Sequence, residues 1–249
     1  MKKVFQRPES LKKEPFRHCP GCGHSLIHRL IAEVIDDLGI RENVIGIAPI
    51  GCAVFAYDYF NFDMLEVPHG RPPSAATGLK RSLPDRIIFS YQGDGDLAAI
   101  GTAEIIHAAN RGENISVFFV NNATYGMTGG QMAPTTIPGQ KTTTTPAGRR
   151  SATDGNPLRM AELLATIEGP SFISRTALDS YKNLAATKKA IETSFRYQIA
   201  GKGFSLVEIL SPCPVDWDLS PREALQWIRE HMIPVFPLGT FRDNVRESQ

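Results

Sequence analysis

The chain has 249 residues, 42% of them hydrophobic, with 27 Lys and Arg against 26 Asp and Glu. Charges that nearly cancel exclude a broad basic field for nucleic acid, and no apolar run reaches the roughly 18 residues of a membrane span. The apolar share suffices for one large domain, read as residues 1–249. The N-terminal stretch is basic but lacks an apolar h-region, so no secretory signal is expected and the cytoplasm is the expected location. In a reducing compartment, four cysteines point to metal or redox chemistry rather than disulfides.

Residues 1–18 read as a polar arm without periodicity. Apolar residues then recur at helical spacing over 25–38, and Gly39 supplies a stop signal. "NVIGIAPIGC" reads as a buried strand running into a loop, and "PPSAATGLKRSLP" as a short helix after an "HGR" turn. "RIIFSYQG" is a buried strand, 97–110 a helix, and "NISVFFVNN" another buried strand. Residues 123–156 form a long Thr-, Gly- and Pro-rich loop directly after a strand end, which favours an active-site lid. "SFISRTA" and "GFSLVEIL" are strands separated by a helix over 182–200, and a last helix near 221–232 precedes a Pro-rich tail. The strands are apolar throughout rather than alternating. That predicts an α/β fold, a mainly parallel sheet flanked by helices on both faces.

The chemistry starts at "GDGDLA", 93–98. It matches the dinucleotide pattern G-x-G-x-x-A. Two features oppose that reading. The next strand ends in Asn121 and Asn122 rather than an acidic residue, and Asp94 and Asp96 would face a pyrophosphate. A divalent cation removes the conflict, because Mg²⁺ takes carboxylate and amide oxygens and joins protein to diphosphate. One strand–helix–strand unit separates Asp94 from Asn122, so a right-handed crossover puts both at the carboxyl ends of parallel strands. Backbone N–H groups near Leu97 can receive phosphate oxygens.

GDG followed about 25 residues later by NN is similar to the motif of thiamine diphosphate enzymes, and the domain resembles their diphosphate-binding domain. The resemblance implies that Asp94, the Asn122 side chain and the Thr124 carbonyl hold Mg²⁺. It also implies that Gly51, Gly93, Gly95, Asp96, Tyr125, Gly126, Met127 and Thr128 line the cofactor site.

Cys19 and Cys22 stand in "CPGCGH", Cys52 in "PIGCAV" and Cys213 in "SPCP". Spacing alone leaves a zinc site, a redox pair and an iron–sulfur cluster open. "CPGCGH", "IGC", "HGR", "GDGD", "YGMTGGQ" and "SPCP", in that order, resemble the β subunit of 2-oxoacid:ferredoxin oxidoreductases. The closing "SPREALQWIREHMIPVFPLGTFRD" looks like the branch acting on branched-chain 2-oxo acids. The resemblance implies one [4Fe–4S] cluster on Cys19, Cys22, Cys52 and Cys213. It implies CoA-dependent oxidative decarboxylation of a 2-oxo acid, with electrons passed to ferredoxin. The glutamate that activates thiamine would lie on the pyrimidine-binding domain of an α subunit, and γ and δ ferredoxin-like subunits would carry electrons onward.

For the substrate, Phe55 and Met127 are expected to shape an apolar pocket, although Phe55 also suits a core position. Arg71 is placed to pair with a carboxylate, of substrate or of protein, and His69 is expected near the cofactor. His24 and His107 are expected in helix roles. Three competing readings are 2-oxoglutarate as substrate, a non-redox thiamine decarboxylase half, and a non-catalytic iron–sulfur protein.

Overall fold

The computed structural model describes residues 6–245. Among them, seven strands form one sheet: β1 Val44–Ala48, β2 Asp63–Glu66, β3 Ile87–Gly93, β4 Ser116–Asn121, β5 Phe172–Ala177, β6 Ser205–Leu210 and β7 Gly239–Asp243. Their order is β2-β1-β3-β4-β6-β5-β7, and every neighbouring pair is parallel except β5–β7.

Both faces of the sheet are covered, which is why the central strands carry apolar residues without alternation. On one face Phe89, Phe118 and Val207 pack with Ile27, Ile31 and Phe195, from helices His24–Leu38 and Tyr181–Ile199. On the other, Ile88, Val117 and Phe119 pack with Ile105 and Leu164, from helices Thr102–Asn110 and Met160–Ala165. Truncating one of these phenylalanines to alanine would cost about 3–5 kcal/mol. Among the described residues, no helix is long and apolar enough to cross a membrane.

Three features depart from the sequence reading. The arm is docked: Leu11 bridges to Phe60, and the buried Ser10 bonds Asp36 through its N–H and hydroxyl. The edge strands β2 and β7 were not anticipated. β2 is short and largely exposed, and β7 is antiparallel with an irregular register, so neither carries an apolar run. The helix expected from residue 97 opens instead with a wide π turn, Asp96–Ile100, in which Gly101 N–H donates to Asp96 O at 2.8 Å.

The connectivity fixes where a ligand sits. The chain passes from β1 outward to β2, then returns to β3 on the opposite side of β1. In such sheets the crevice beyond the carboxyl ends of the strands at this switch point is the binding place.

Candidate active site

The loops after β1, β3 and β4 meet at that crevice around a cavity of about 190 Å³. Every residue expected at the cofactor lines it: Gly51, 93–96, Asn122 and 124–128, together with His69 and Cys52. A larger cleft of about 670 Å³ lies beside the N-terminal segment. Its charges pair with one another, as in Arg41–Glu9 and Lys188–Asp37, so it carries no comparable donor set.

Asp94, directly after β3, is almost fully buried. It accepts hydrogen bonds from Gly95 N–H at 3.0 Å, Thr124 N–H at 3.1 Å and the Thr135 hydroxyl at 2.8 Å. Burial still pushes its carboxyl up to about 7. A cation beside it would reverse that shift.

β4 delivers the second half. Ala123 sits at φ +57, a left-handed conformation costing a non-glycine residue about 1–2 kcal/mol. The kink aims Asn122 and Thr124 back at Asp94. With the Asn122 amide oxygen turned inward, it lies 3.0 Å from Asp94 Oδ2 and 2.7 Å from Thr124 O; turned over, the amide nitrogen donates to both. The inward setting brings three oxygens together, with only the Thr124 N–H reaching two of them, Asp94 Oδ2 at 3.1 Å and Asn122 Oδ1 at 3.4 Å. Neighbouring ligands of an octahedral Mg²⁺, each at about 2.1 Å, stand about 3.0 Å apart. The donor set therefore fits Mg²⁺.

Asp96 does different work. It lies 2.5 Å from His69 Nδ1 and accepts from Gly70 N–H at 2.7 Å and Gln92 Nε2 at 2.6 Å. It ties the "HGR" turn to the glycine turn and holds His69 on the cavity wall. Tyr125 packs its ring against Gly95, and Met127 stands half-exposed at the cavity.

Two expected substrate residues lie elsewhere. Phe55 is off the cavity wall, edge-on to His18 at 5.7 Å and packed against the core. Arg71 is also off the wall and forms an ion pair with Glu104. Ile50 and Ile100 line the cavity instead. His24 is buried at the start of its helix, 2.6 Å from the Tyr91 hydroxyl, and burial pushes its imidazole down to about 3. His107 lies exposed in its helix.

The cysteines share one neighbourhood. Cys19 is exposed, and Cys22, Cys52 and Cys213 are half-buried. Burial first, with the charges of neighbouring cysteines and Asp216 adding to it, raises the Cys22 thiol to about 11 and the Cys52 thiol to about 12. Burial, then a hydrogen bond from its Sγ to Asp216 Oδ2 at 3.1 Å, raises Cys213. Among the described residues, no three His, Cys, Asp or Glu side chains close around a single ion. Four soft sulfur donors at one end of the sheet suit an iron–sulfur centre, whose positive charge would stabilise the thiolates.

The sequence reading missed Thr135, Arg149 and Trp217. Thr135 lies within a threonine-rich stretch with no pattern to single it out. Arg149 is buried in the long loop and donates to the carbonyls of Ala133, Pro134, Thr136, Asp154, Gly155 and Asn156. Trp217 donates from Nε1 to Asn122 O at 3.2 Å. The loop is thus folded onto the Asp94 turn.

A family profile described as "Thiamine pyrophosphate enzyme, C-terminal TPP binding domain" matches residues 49–209. The chain belongs to the thiamine pyrophosphate enzymes. Within them it groups with subunits of 2-oxoacid:ferredoxin oxidoreductases. It is 46% identical to the ketoisovalerate oxidoreductase subunit VorA of Methanothermobacter thermautotrophicus, over 99% of this chain and 52% of that protein. It is 33% identical to the 2-oxoglutarate synthase subunit KorB of Methanocaldococcus jannaschii, over 88% of this chain and 79% of that one. The chain spans about half the length of the ketoisovalerate oxidoreductase subunits it matches. A solved 2-oxoglutarate:ferredoxin oxidoreductase from Magnetococcus marinus, with 2-oxoglutarate, coenzyme A and succinyl-CoA bound, superposes with a TM-score of 0.76 at 25% identity. The match covers 97% of this thiamine pyrophosphate enzyme and 86% of that chain.

Proposed function

We propose that this chain is the thiamine diphosphate- and cluster-carrying subunit of a CoA-dependent 2-oxoacid:ferredoxin oxidoreductase working in the cytoplasm. A branched-chain acid such as 3-methyl-2-oxobutanoate is the favoured substrate. The observation that carries the reading is the convergence of Asp94 Oδ2, Asn122 Oδ1 and Thr124 O on one cavity that Cys52 also lines.

Bound thiamine diphosphate supplies the nucleophilic carbon and electron sink for decarboxylation. The residues of this chain hold and enclose it. Asp94, Asn122 and Thr124 hold Mg²⁺ against the diphosphate, and N–H groups of the glycine turn receive its oxygens. Tyr125 and Met127 wall the cavity, and the lid excludes water from it. Cys19, Cys22, Cys52 and Cys213 hold a [4Fe–4S] cluster as the electron outlet. An α subunit supplies the pyrimidine-binding domain and its activating glutamate, and γ and δ subunits pass electrons to ferredoxin.

Relatives named for ketoisovalerate support the branched-chain substrate. Relatives and a solved structure named for 2-oxoglutarate support the alternative. A panel of 2-oxo acids, assayed with the copurified partner chains, decides between them: a higher kcat/KM for 2-oxoglutarate would reverse the assignment. For the site itself, Asp94→Ala is expected to abolish Mg²⁺-dependent thiamine diphosphate binding while leaving iron content near about four per chain. Cofactor retained by that variant would refute it.

A further inference from the structure

The turn that carries Asn122 and Thr124 is held in a conformation its sequence does not favour. Ala123 is left-handed, and three side chains secure it. Asn121 Oδ1 accepts from Ala123 N–H at 3.2 Å. Thr136 Oγ1 and Gln140 Nε2, both from the lid, donate to Ala123 O at 2.7 and 3.0 Å.

Asn121 is itself oriented from behind. Its Nδ2 donates to Glu208 Oε1 at 2.7 Å. Glu208, fully buried on β6, accepts from Ala161 N–H at 3.2 Å and lies 3.0 Å from Arg175 Nε. Arg175, on β5, is also buried. It donates to Glu162 and to Pro237 O, and it lies over the rings of Phe236 and Phe241. A buried ion pair is a poor source of net stability, since apolar residues of the same volume do as well. What this network does that apolar packing would not is fix an amide that can both donate to Glu208 and accept from Ala123.

We propose that Asn121 and Glu208 are positioning residues for the cation site. They hold Ala123 left-handed so that the Asn122 amide oxygen and the Thr124 carbonyl face Asp94, with Arg175 fixing the Glu208 carboxylate. This rests on the reading of Asp94, Asn122 and Thr124 as the cation's ligands.

The experiment is calorimetric titration of the cofactor-stripped protein, purified with its partner chains, with thiamine diphosphate at graded Mg²⁺. Asn121→Leu is expected to weaken Mg²⁺-dependent binding by about 10- to 100-fold, the range for a lost outer-shell partner, with iron content unchanged. Glu208→Gln keeps the volume and serves if the first variant fails to fold; its expected loss is about tenfold. The deciding arm adds Ala123→Gly to Asn121→Leu. Glycine adopts the left-handed conformation unaided, so most of the lost affinity should return without a rise in Tm. A general loosening of the domain would not be repaired this way. Absence of that rescue, or wild-type affinity in Asn121→Leu and Glu208→Gln, overturns the proposal. Asp94→Ala is run in parallel: if it too keeps wild-type affinity, the reading of the ligands fails, whereas loss there alone overturns only the positioning role.

Discussion

A single methyl group has almost no room at Gly101. A Cβ there would stand 2.5 Å from Asp96 O and 2.8 Å from Gly70 O, both backbone atoms. The "HGR" turn and the π turn pack so closely because Asp96 draws Gly70 N–H and His69 onto itself. Gly101→Ala is expected to cost about 1–3 kcal/mol in denaturant unfolding, the usual cost of overpacking; an unchanged midpoint would contradict the close approach. Cys213 tests the proposed cluster. Cys213→Ser should lower iron content and bleach the broad absorption near about 400 nm, and full iron would remove it from the ligand set. On the substrate side, Met127 lines the cavity and Phe55 does not. Met127→Arg should raise the kcat/KM ratio of 2-oxoglutarate to 3-methyl-2-oxobutanoate, because a second carboxylate then finds a cation. Phe55→Arg, beside His18 in a packed region, should lower stability without moving that ratio.

At the scale of elements, the long loop after β4 packs onto the Asp94 turn. The sequence marked 123–156 as a long loop after a strand end, a stretch that in an α/β chain is either functional or disordered; the structure adds a short helix within it, Ser151–Asp154. Its anchoring was not legible in the sequence. Thr135 reaches Asp94 across 41 residues, and Arg149 binds only carbonyl oxygens, a partner that leaves no mark on composition or spacing. Arg149→Met would strand several buried carbonyls. It is expected to destabilise the protein by about 2 kcal/mol or more, to speed proteolytic nicking within 139–156, and to weaken thiamine diphosphate binding severalfold. Cleavage at the wild-type rate would show that the loop is held by other contacts. The edge strands β2 and β7 were illegible for a related reason: half-exposed strands of four or five residues lack the apolar run that marks a buried strand.

On the scale of the whole molecule, the cavity opens where Ile50, Ile100 and Met127 are exposed. Apolar residues gathered at the mouth of a polar cofactor site are the surface on which the proposed α subunit would seat its pyrimidine-binding domain. Ile100→Glu should then weaken assembly, read as loss of copurification or a faster off-rate, while iron content stays unchanged. Retained assembly would place the interface elsewhere.

The sequence by itself determined the layers of this protein, because the apolar run of a doubly covered strand and the spacing of a helix are local patterns. It also determined that a glycine turn with Asp94 and an Asn pair one crossover later belong together, because a βαβ unit has one handedness. Only the tertiary structure decided which distant residues complete the site. Thr135 and Trp217 reach it, Glu208 backs it through Asn121, and Phe55 and Arg71 turn away, because strand order and loop packing choose neighbours that no spacing along the chain encodes.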